Sequence, residues 1–216
     1  PETVVSWFNE LRQSLFQFEN IRVLVTADVA KLDNPVAPWD VLFQEPGLDH
    51  TKDLQPITKL HQLLSPEGES PGSYGSVIIP MTTLDSSYSV SFARGLKSHS
   101  DPRLPAYLVA LGYLEAVGGP LWNAVRGTGL AYGVGFSREV DGGYIQFRVY
   151  RSPDASKAIE ASRKIVAKIA SGETPLDRHL VEGAVSGVVL GVADEQATMA
   201  AAAQYNYIST VVRGLE

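Results

Sequence analysis

The stretch Pro120–Val134, Pro-Leu-Trp-Asn-Ala-Val-Arg-Gly-Thr-Gly-Leu-Ala-Tyr-Gly-Val, constrains this chain most, because it has to change backbone geometry within a few residues. Pro120 suits the first position of a short helix, where no backbone bond is lost, and Leu121, Trp122 and Val125 give that helix an apolar side. Arg126 falls at its C-terminal end. Gly127 and Gly129 then release the helical geometry. Beyond them Leu130, Tyr132, Val134 and Phe136 recur at every second residue, the period of a strand.

Arg126 and Tyr132 therefore flank a tight glycine turn, a permanent cation on one side and a phenol on the other. Two rigidly mounted donors aimed at one oxygen are what acyl-transfer chemistry uses to stabilise a developing oxyanion. The same pattern also fits a purely structural role, with Arg126 capping the helix end and Tyr132 filling the core. Spacing alone leaves both open.

A chain of 216 residues, 44% of them hydrophobic, can bury one well-packed core or two small ones. We read one domain with an appended lead-in. With 18 basic against 24 acidic residues the net charge is −6, which gives no electrostatic footprint for nucleic acid and serves solubility. There are no cysteines, which rules out disulfides, thiolate metal sites and a cysteine nucleophile and fits an intracellular protein; the expected compartment is cytoplasm or mitochondrion, which composition does not distinguish. No apolar run approaches the ~20 residues of a membrane span. The opening Pro-Glu-Thr-Val resembles neither a signal peptide nor a basic presequence, and we expect an excised piece of a longer chain.

Val4, Phe8, Leu11 and Leu15 mark one stripe of an amphipathic helix that needs a partner surface. Ile21–Val25 reads as a buried strand. Residues 1–45 read as a lead-in, or, as the resemblance of Asn20–Leu32 to a known family implies, as the closing helix and strand of a preceding domain. The proline-punctuated stretch 46–75 reads as a linker. Short helices are expected at Pro38–Phe43 and Ile57–Leu64, and a loop at Ser65–Gly75. Residues 76–216 form the main domain, which the same resemblance implies is truncated at its C-terminus.

In that domain Val77–Met81 reads as a strand, and Tyr88, Val90 and Phe92 alternate with serines as a second. Asp101-Pro102 starts a helix with Leu104, Tyr107, Leu108, Leu111 and Leu114 as its stripe, broken at Gly118-Gly119. Ala131–Ser137 and Tyr144–Tyr150 flank Asp141-Gly142-Gly143 and should pair as a hairpin. Gly133 and Gly135 lie on the face opposite Tyr132, there either for close approach of another element or to leave room for a peptide main chain.

Three helices close the chain. One starts at Ser152-Pro153-Asp154, with Ala158, Ile159, Ser162, Ile165, Val166 and Ile169 buried. A second starts at Thr174-Pro175, with Leu176, Leu180, Val181, Val185, Val188 and Val192 packing. The last runs from about Asp194 to Gly214. This order is not the strand–helix alternation of a parallel sheet, so the expected class is α+β, a mainly antiparallel sheet with helices packed on one face.

His50, His61, His99 and His179 are isolated, and none belongs to a His-Glu-x-x-His or His-x-x-Glu-His pattern, so no zinc site is expected in this chain. There is no Gly-x-Ser-x-Gly elbow. Gly127-Thr128-Gly129 lacks the context of a phosphate loop, and Asp85-Ser86-Ser87 reads as a turn.

The run Leu121–Tyr132 resembles the arginine–tyrosine segment in the C-terminal half of the insulinase/pitrilysin family of zinc metallopeptidases, in its presequence-protease-like branch. Asn20–Leu32, Pro80–Tyr88 and Arg148–Asp154 point the same way, and together they cover most of the chain. The resemblance implies a repeat domain of that family, a substrate-chamber domain of a zinc metalloendopeptidase that degrades unstructured peptides. It implies that Arg126 and Tyr132 reach the substrate carbonyl next to the scissile bond. Zinc would be held in a different, N-terminal catalytic domain of the same polypeptide. Partners would be those domains and the peptide substrate, and the isolated piece, inactive by itself, would dimerise through exposed packing surfaces. The alternative is a non-catalytic scaffold or assembly subunit of the same fold.

Overall fold

The computed structural model describes residues 2–35, 37–41, 52, 53, 55, 75 and 77–215, and all structural statements below are made of these. They include five α-helices, α1 Glu2–Leu15, α2 Leu104–Glu115, α3 Ala155–Ala170, α4 Arg178–Asp194 and α5 Met199–Tyr207, and three strands, β1 Ser87–Arg94, β2 Gly133–Glu139 and β3 Tyr144–Ser152. The chain divides into two compact units, one of residues 1–57 with 196–214 and one centred on 58–195.

In the first unit α1 forms where the apolar stripe predicts it, but it buries none of its residues, and Val4, Trp7, Phe8, Leu11 and Leu15 all face outward. Ile21–Val25 is not the buried strand its β-branched residues suggest. It has no ladder hydrogen bonds, and Val23, Leu24 and Val25 are exposed. A strand is defined by its pairing, and hydrophobic residues without a neighbouring edge cannot supply that. A 3-10 turn occupies Ala37–Trp39, at the start of the expected Pro38–Phe43 helix. The expected Ile57–Leu64 helix lies outside the described residues, as does all of the Ser65–Gly75 loop except Gly75. The expected single helix from Asp194 to Gly214 is interrupted: α4 ends at Asp194, and α5 begins after Thr198, whose hydroxyl accepts from the Ala201 amide at 3.1 Å. A π turn, Ile208–Val212, extends it.

The second unit is α+β, with the mainly antiparallel character expected. Its sheet has the order β1-β3-β2, both pairings antiparallel. The hairpin forms as the glycines predict, with Glu139 opposite Tyr144 and Gly143 in the left-handed region at φ 70°. Val77–Met81 joins no sheet. Val77 and Ile78 are 87% and 88% exposed, for the same want of a partner edge.

The core lies where α3 and the Pro120 segment meet one face of the sheet. Val125, Ala131, Val149 and Ala158 are buried together, with Leu130, Val134, Phe147 and Ile159 packed against them. Val134 stands opposite Val149 and Phe136 opposite Phe147 in the register, so the apolar pairs share the helix-covered face. α3 buries Ala158 and Ser162 as its pattern predicts. Its N-cap is Asp154 rather than Ser152: Asp154 accepts from the Lys157 amide at 3.1 Å, while Ser152 is fully buried and tied elsewhere. Asp177, not Thr174, caps α4, accepting from the His179 amide at 2.8 Å and the Leu180 amide at 3.2 Å.

α2 and α4 approach closely, since a Cβ on Gly112 would stand 3.4 Å from the Ala184 Cβ. Tyr113, outside the expected stripe, is buried, and its hydroxyl accepts from the Asp177 amide at 3.2 Å. Of the positions expected to pack on α4, Leu176, Val185 and Val192 are instead exposed. One contact line against α2 cannot cover an apolar surface this wide.

Candidate functional site

The Pro120 segment is wound more widely than the expected α-helix: Trp122–Arg126 is a π turn. The Gly127 amide donates to the Trp122 carbonyl at 2.8 Å, and the Leu130 amide donates to the Val125 carbonyl at 2.9 Å. Thr128 closes the end, its hydroxyl donating to the Ala124 carbonyl at 2.8 Å. Gly129 takes the left-handed conformation that reverses the chain, with φ 76°. Leu121 and Val125 anchor the turn in the core, which leaves Arg126 projecting outward. Single-turn π geometry of this kind occurs often where a side chain has to be aimed.

Tyr132 does not fill the core. It is 58% exposed, while its neighbour Ala131 is buried. The even-spaced alternation therefore fails at this residue, for a reason on the opposite strand. Arg151 has a positive φ of 49°, the pairing of β1 with β3 is irregular between Ser87 and Ser89, and the Tyr132 amide donates to the Arg151 carbonyl at 2.9 Å. A bulge of this kind rotates the strand locally and re-aims the side chains beside it.

The result is a contiguous aromatic and cationic face. The Arg126 guanidinium carbon lies 4.6 Å from the centroid of the Tyr132 ring. Tyr132 meets Tyr150 edge to face with centroids 6.2 Å apart, and Tyr150 meets Tyr88 in the same way at 5.4 Å. The Arg151 guanidinium stands 5.6 Å from the Tyr150 centroid. Tyr88 and Tyr150 are 46% and 49% exposed, so the face is open to solvent. The guanidinium occupies one face of the Tyr132 ring, a contact that uses neither the N–H donors of Arg126 nor the hydroxyl of Tyr132. Neither has a hydrogen-bond partner among the described residues. A hydrogen bond with Tyr88 raises the Arg151 pKa further above its ordinary value, with Tyr150, Tyr88 and Asp85 acting in the same direction.

Ser152 holds this face to the fold. Its hydroxyl donates to the Leu130 carbonyl at 2.5 Å and accepts from the Asp154 amide at 3.0 Å, joining the glycine turn, the end of β3 and the start of α3. Gly133 and Gly135 differ in use. At Gly135 an added Cβ would meet a Glu115 carboxylate oxygen at 2.8 Å, while at Gly133, opposite Tyr150 in the register, nothing stands within 4 Å. The Glu115 carboxylate accepts from the Phe136 amide and so covers part of the β2 edge. Glu115 is exposed as a residue, but its carboxyl end is sunk against the sheet. That burial raises its pKa, opposed by the Phe136 amide and by Arg148 and Arg138.

The sequence singled out Arg126 and Tyr132, and the fold brings them together. Tyr88, Tyr150 and Arg151 carried no motif of their own, although Tyr88 closes one of the stretches noted above and the other two lie inside another. Among the described residues no three His, Asp or Glu side chains gather as a metal ion would require. His99 Nε2 is 3.2 Å from an Asp141 oxygen, and His179 is exposed beside Glu182. These residues do not fit a zinc site. No described helix is long and apolar enough to cross a membrane.

The fold and this face define an α+β unit that presents an exposed arginine–tyrosine pair from a π turn and a bulged sheet end. No family model matches the chain. It is similar to the uncharacterized protein C3H1.02c of Schizosaccharomyces pombe, 34% identical over 181 residues, covering 82% of this chain and 17% of that protein. It is likewise similar to the uncharacterized proteins YOL098C of Saccharomyces cerevisiae, 30% identical over 82% of this chain and 18% of the relative, and C05D11.1 of Caenorhabditis elegans, 28% identical over 97% and 20%. The chain spans a fifth or less of the length of these relatives.

Proposed function

We propose that this chain is the substrate-chamber part of a larger zinc metalloendopeptidase acting on unstructured peptides, with Arg126 and Tyr132 donating to the substrate carbonyl. The observation that carries the reading is the pair itself. The two donors stand side by side on an exposed face and have no hydrogen-bond partner among the described residues; Arg126 is mounted on a π turn, and the Tyr132 backbone is tied to the bulged end of the opposite strand. Core filling, the structural alternative for Tyr132, loses its basis in the exposure of that ring.

In this reading the carbonyl oxygen next to the scissile bond sits at the N–H edge of Arg126 and the hydroxyl of Tyr132. As the carbonyl carbon becomes tetrahedral its oxygen gains negative charge, and both hydrogen bonds strengthen. The pair thus stabilises the transition state more than the bound peptide. Because the guanidinium is already stacked and the strand already bulged, little reorganisation accompanies that change. Zinc belongs, in the same reading, to another part of the longer polypeptide. The similarity to relatives several times the length of this chain leaves room for such a part.

The test is cleavage of unstructured peptides by the full-length protein, with and without a zinc chelator. Chelator-sensitive hydrolysis that falls on substitution of Tyr132 supports the reading. A full-length protein without zinc and without hydrolysis overturns it in favour of the scaffold alternative.

A further inference from the structure

We propose that Arg151, mounted between Tyr88 and Tyr150 beside the Arg126–Tyr132 pair, is a specificity-determining residue that receives a carboxylate of the bound peptide. That the ligand is a peptide rests on the reading above; the carboxylate chemistry rests on Arg151 itself.

Arg151 is the non-glycine residue with positive φ among those described, a conformation that costs a side-chain-bearing residue free energy and persists where the surroundings enforce it. Its backbone serves the site already, since its carbonyl holds the Tyr132 amide at 2.9 Å. Its side chain is placed as well: the guanidinium lies over the Tyr150 ring at 5.6 Å, and Tyr150 in turn packs against Tyr88. Aromatic neighbours restrict where a guanidinium can sit, and an exposed guanidinium held in this way can take a carboxylate through two parallel hydrogen bonds.

The cation also lacks a close internal counter-ion. Lys157, Lys164, Lys168 and Arg178 of the same unit each lie within salt-bridge distance of an acidic side chain. Among the described residues no carboxylate stands that close to Arg151, on which Asp85 acts only through space. In a chain of net charge −6, an exposed and preoriented cation on the face that carries the candidate donors is an anion receptor. Gly133, with open space where a side chain would stand, leaves the flank of Tyr150 accessible.

The experiment uses the full-length protein and short labelled peptides in matched pairs, one carrying Glu and its twin Gln at a single position, another ending in a free carboxylate or an amide. The first pair reports a side-chain carboxylate and the second a terminal one. Wild-type protein is expected to cleave one acidic member with kcat/KM about tenfold above its neutral twin, the scale of a charge-assisted hydrogen bond. Arg151→Gln is expected to abolish that preference, bringing each acidic peptide down to the kcat/KM of its neutral twin. Arg151→Gly relieves the positive φ, so it should lose the preference without a lower Tm, which separates recognition from strain. Asp85→Asn should sharpen the preference. Fluorescence anisotropy of the same pairs in chelator reads the preference as binding. If nothing is cleaved, the peptidase reading fails, and a carboxylate preference in binding that Arg151→Gly removes still upholds the receptor. No preference in wild type by either readout, or a preference unchanged in both Arg151 variants, overturns it.

Discussion

The Arg126 guanidinium lies over Tyr132, 4.6 Å from the ring centroid, although the two residues are carried by different kinds of backbone, a π turn and the lead into a strand whose partner is bulged at Arg151. A cation over an exposed ring contributes on the order of 0.5–1 kcal/mol, enough to bias the arrangement but too little to hold the fold. Substitutions at these two residues should therefore report on chemistry more than on stability.

Tyr132→Phe keeps the ring, the stacking and the packing, and removes one hydroxyl. In the full-length protein we expect kcat to fall by on the order of 10²-fold, the scale for deleting one oxyanion donor, with KM and Tm little changed. Steady-state kinetics and thermal unfolding check this together, and unaltered kcat would end the assignment of Tyr132.

Arg126→Lys retains charge but loses the planar fork and much of the stacking. It is expected to lose nearly as much kcat as Arg126→Ala, with neither lowering Tm appreciably, because Arg126 is exposed and the turn is anchored by Leu121 and Val125. A Lys variant close to wild type in turnover would show that charge alone suffices.

Ser152→Ala should behave in the opposite manner. The hydroxyl is fully buried, and its removal leaves the Leu130 carbonyl and the Asp154 amide without their partner. We expect a loss of roughly 1–3 kcal/mol in unfolding free energy, readable in a denaturant titration. Because Leu130 and the start of α3 frame the Tyr132 segment, turnover should fall as well.

Glu115 gives a pH dependence whose sign follows from burial. Its folded pKa is raised, so the folded state binds the proton more tightly than the unfolded chain does. The stabilising effect is full below the unfolded value and is lost as pH rises through the folded one. Stability measured upward from about pH 4 should therefore decline in this window for wild type and not for Glu115→Gln, which keeps a carbonyl oxygen for the Phe136 amide.

The outward-facing residues of α1 and α4 predict self-association of the 216-residue chain by itself. Sedimentation should show dimers or larger species at high concentration. Trp7→Glu with Phe8→Glu, both on an exposed helix, should reduce association without loss of helical content.

The sequence by itself determined the local grammar of this protein. The Gly118-Gly119 break, the Asp141-Gly142-Gly143 hairpin, the stripe of α3 and the α+β class follow from glycine conformation and from apolar periodicity, properties a residue carries with it. The closeness of Arg126 and Tyr132 was legible too, in their placement around a glycine turn. The tertiary structure decided what depends on a partner. Ile21–Val25 and Val77–Met81 have strand composition but no neighbouring edge, and so no ladder. Tyr132 has the spacing of a core residue, yet it faces solvent, because the positive φ of Arg151 on the opposite strand rotates the ladder beneath it. Tyr88, Tyr150 and Arg151 join the candidate site only because β1 and β2 both pair with β3, which brings Tyr88 to residues more than forty positions further along the chain. Periodicity reports what a segment could bury; register and bulges, set by long-range pairing, decide which face it turns and what it meets there.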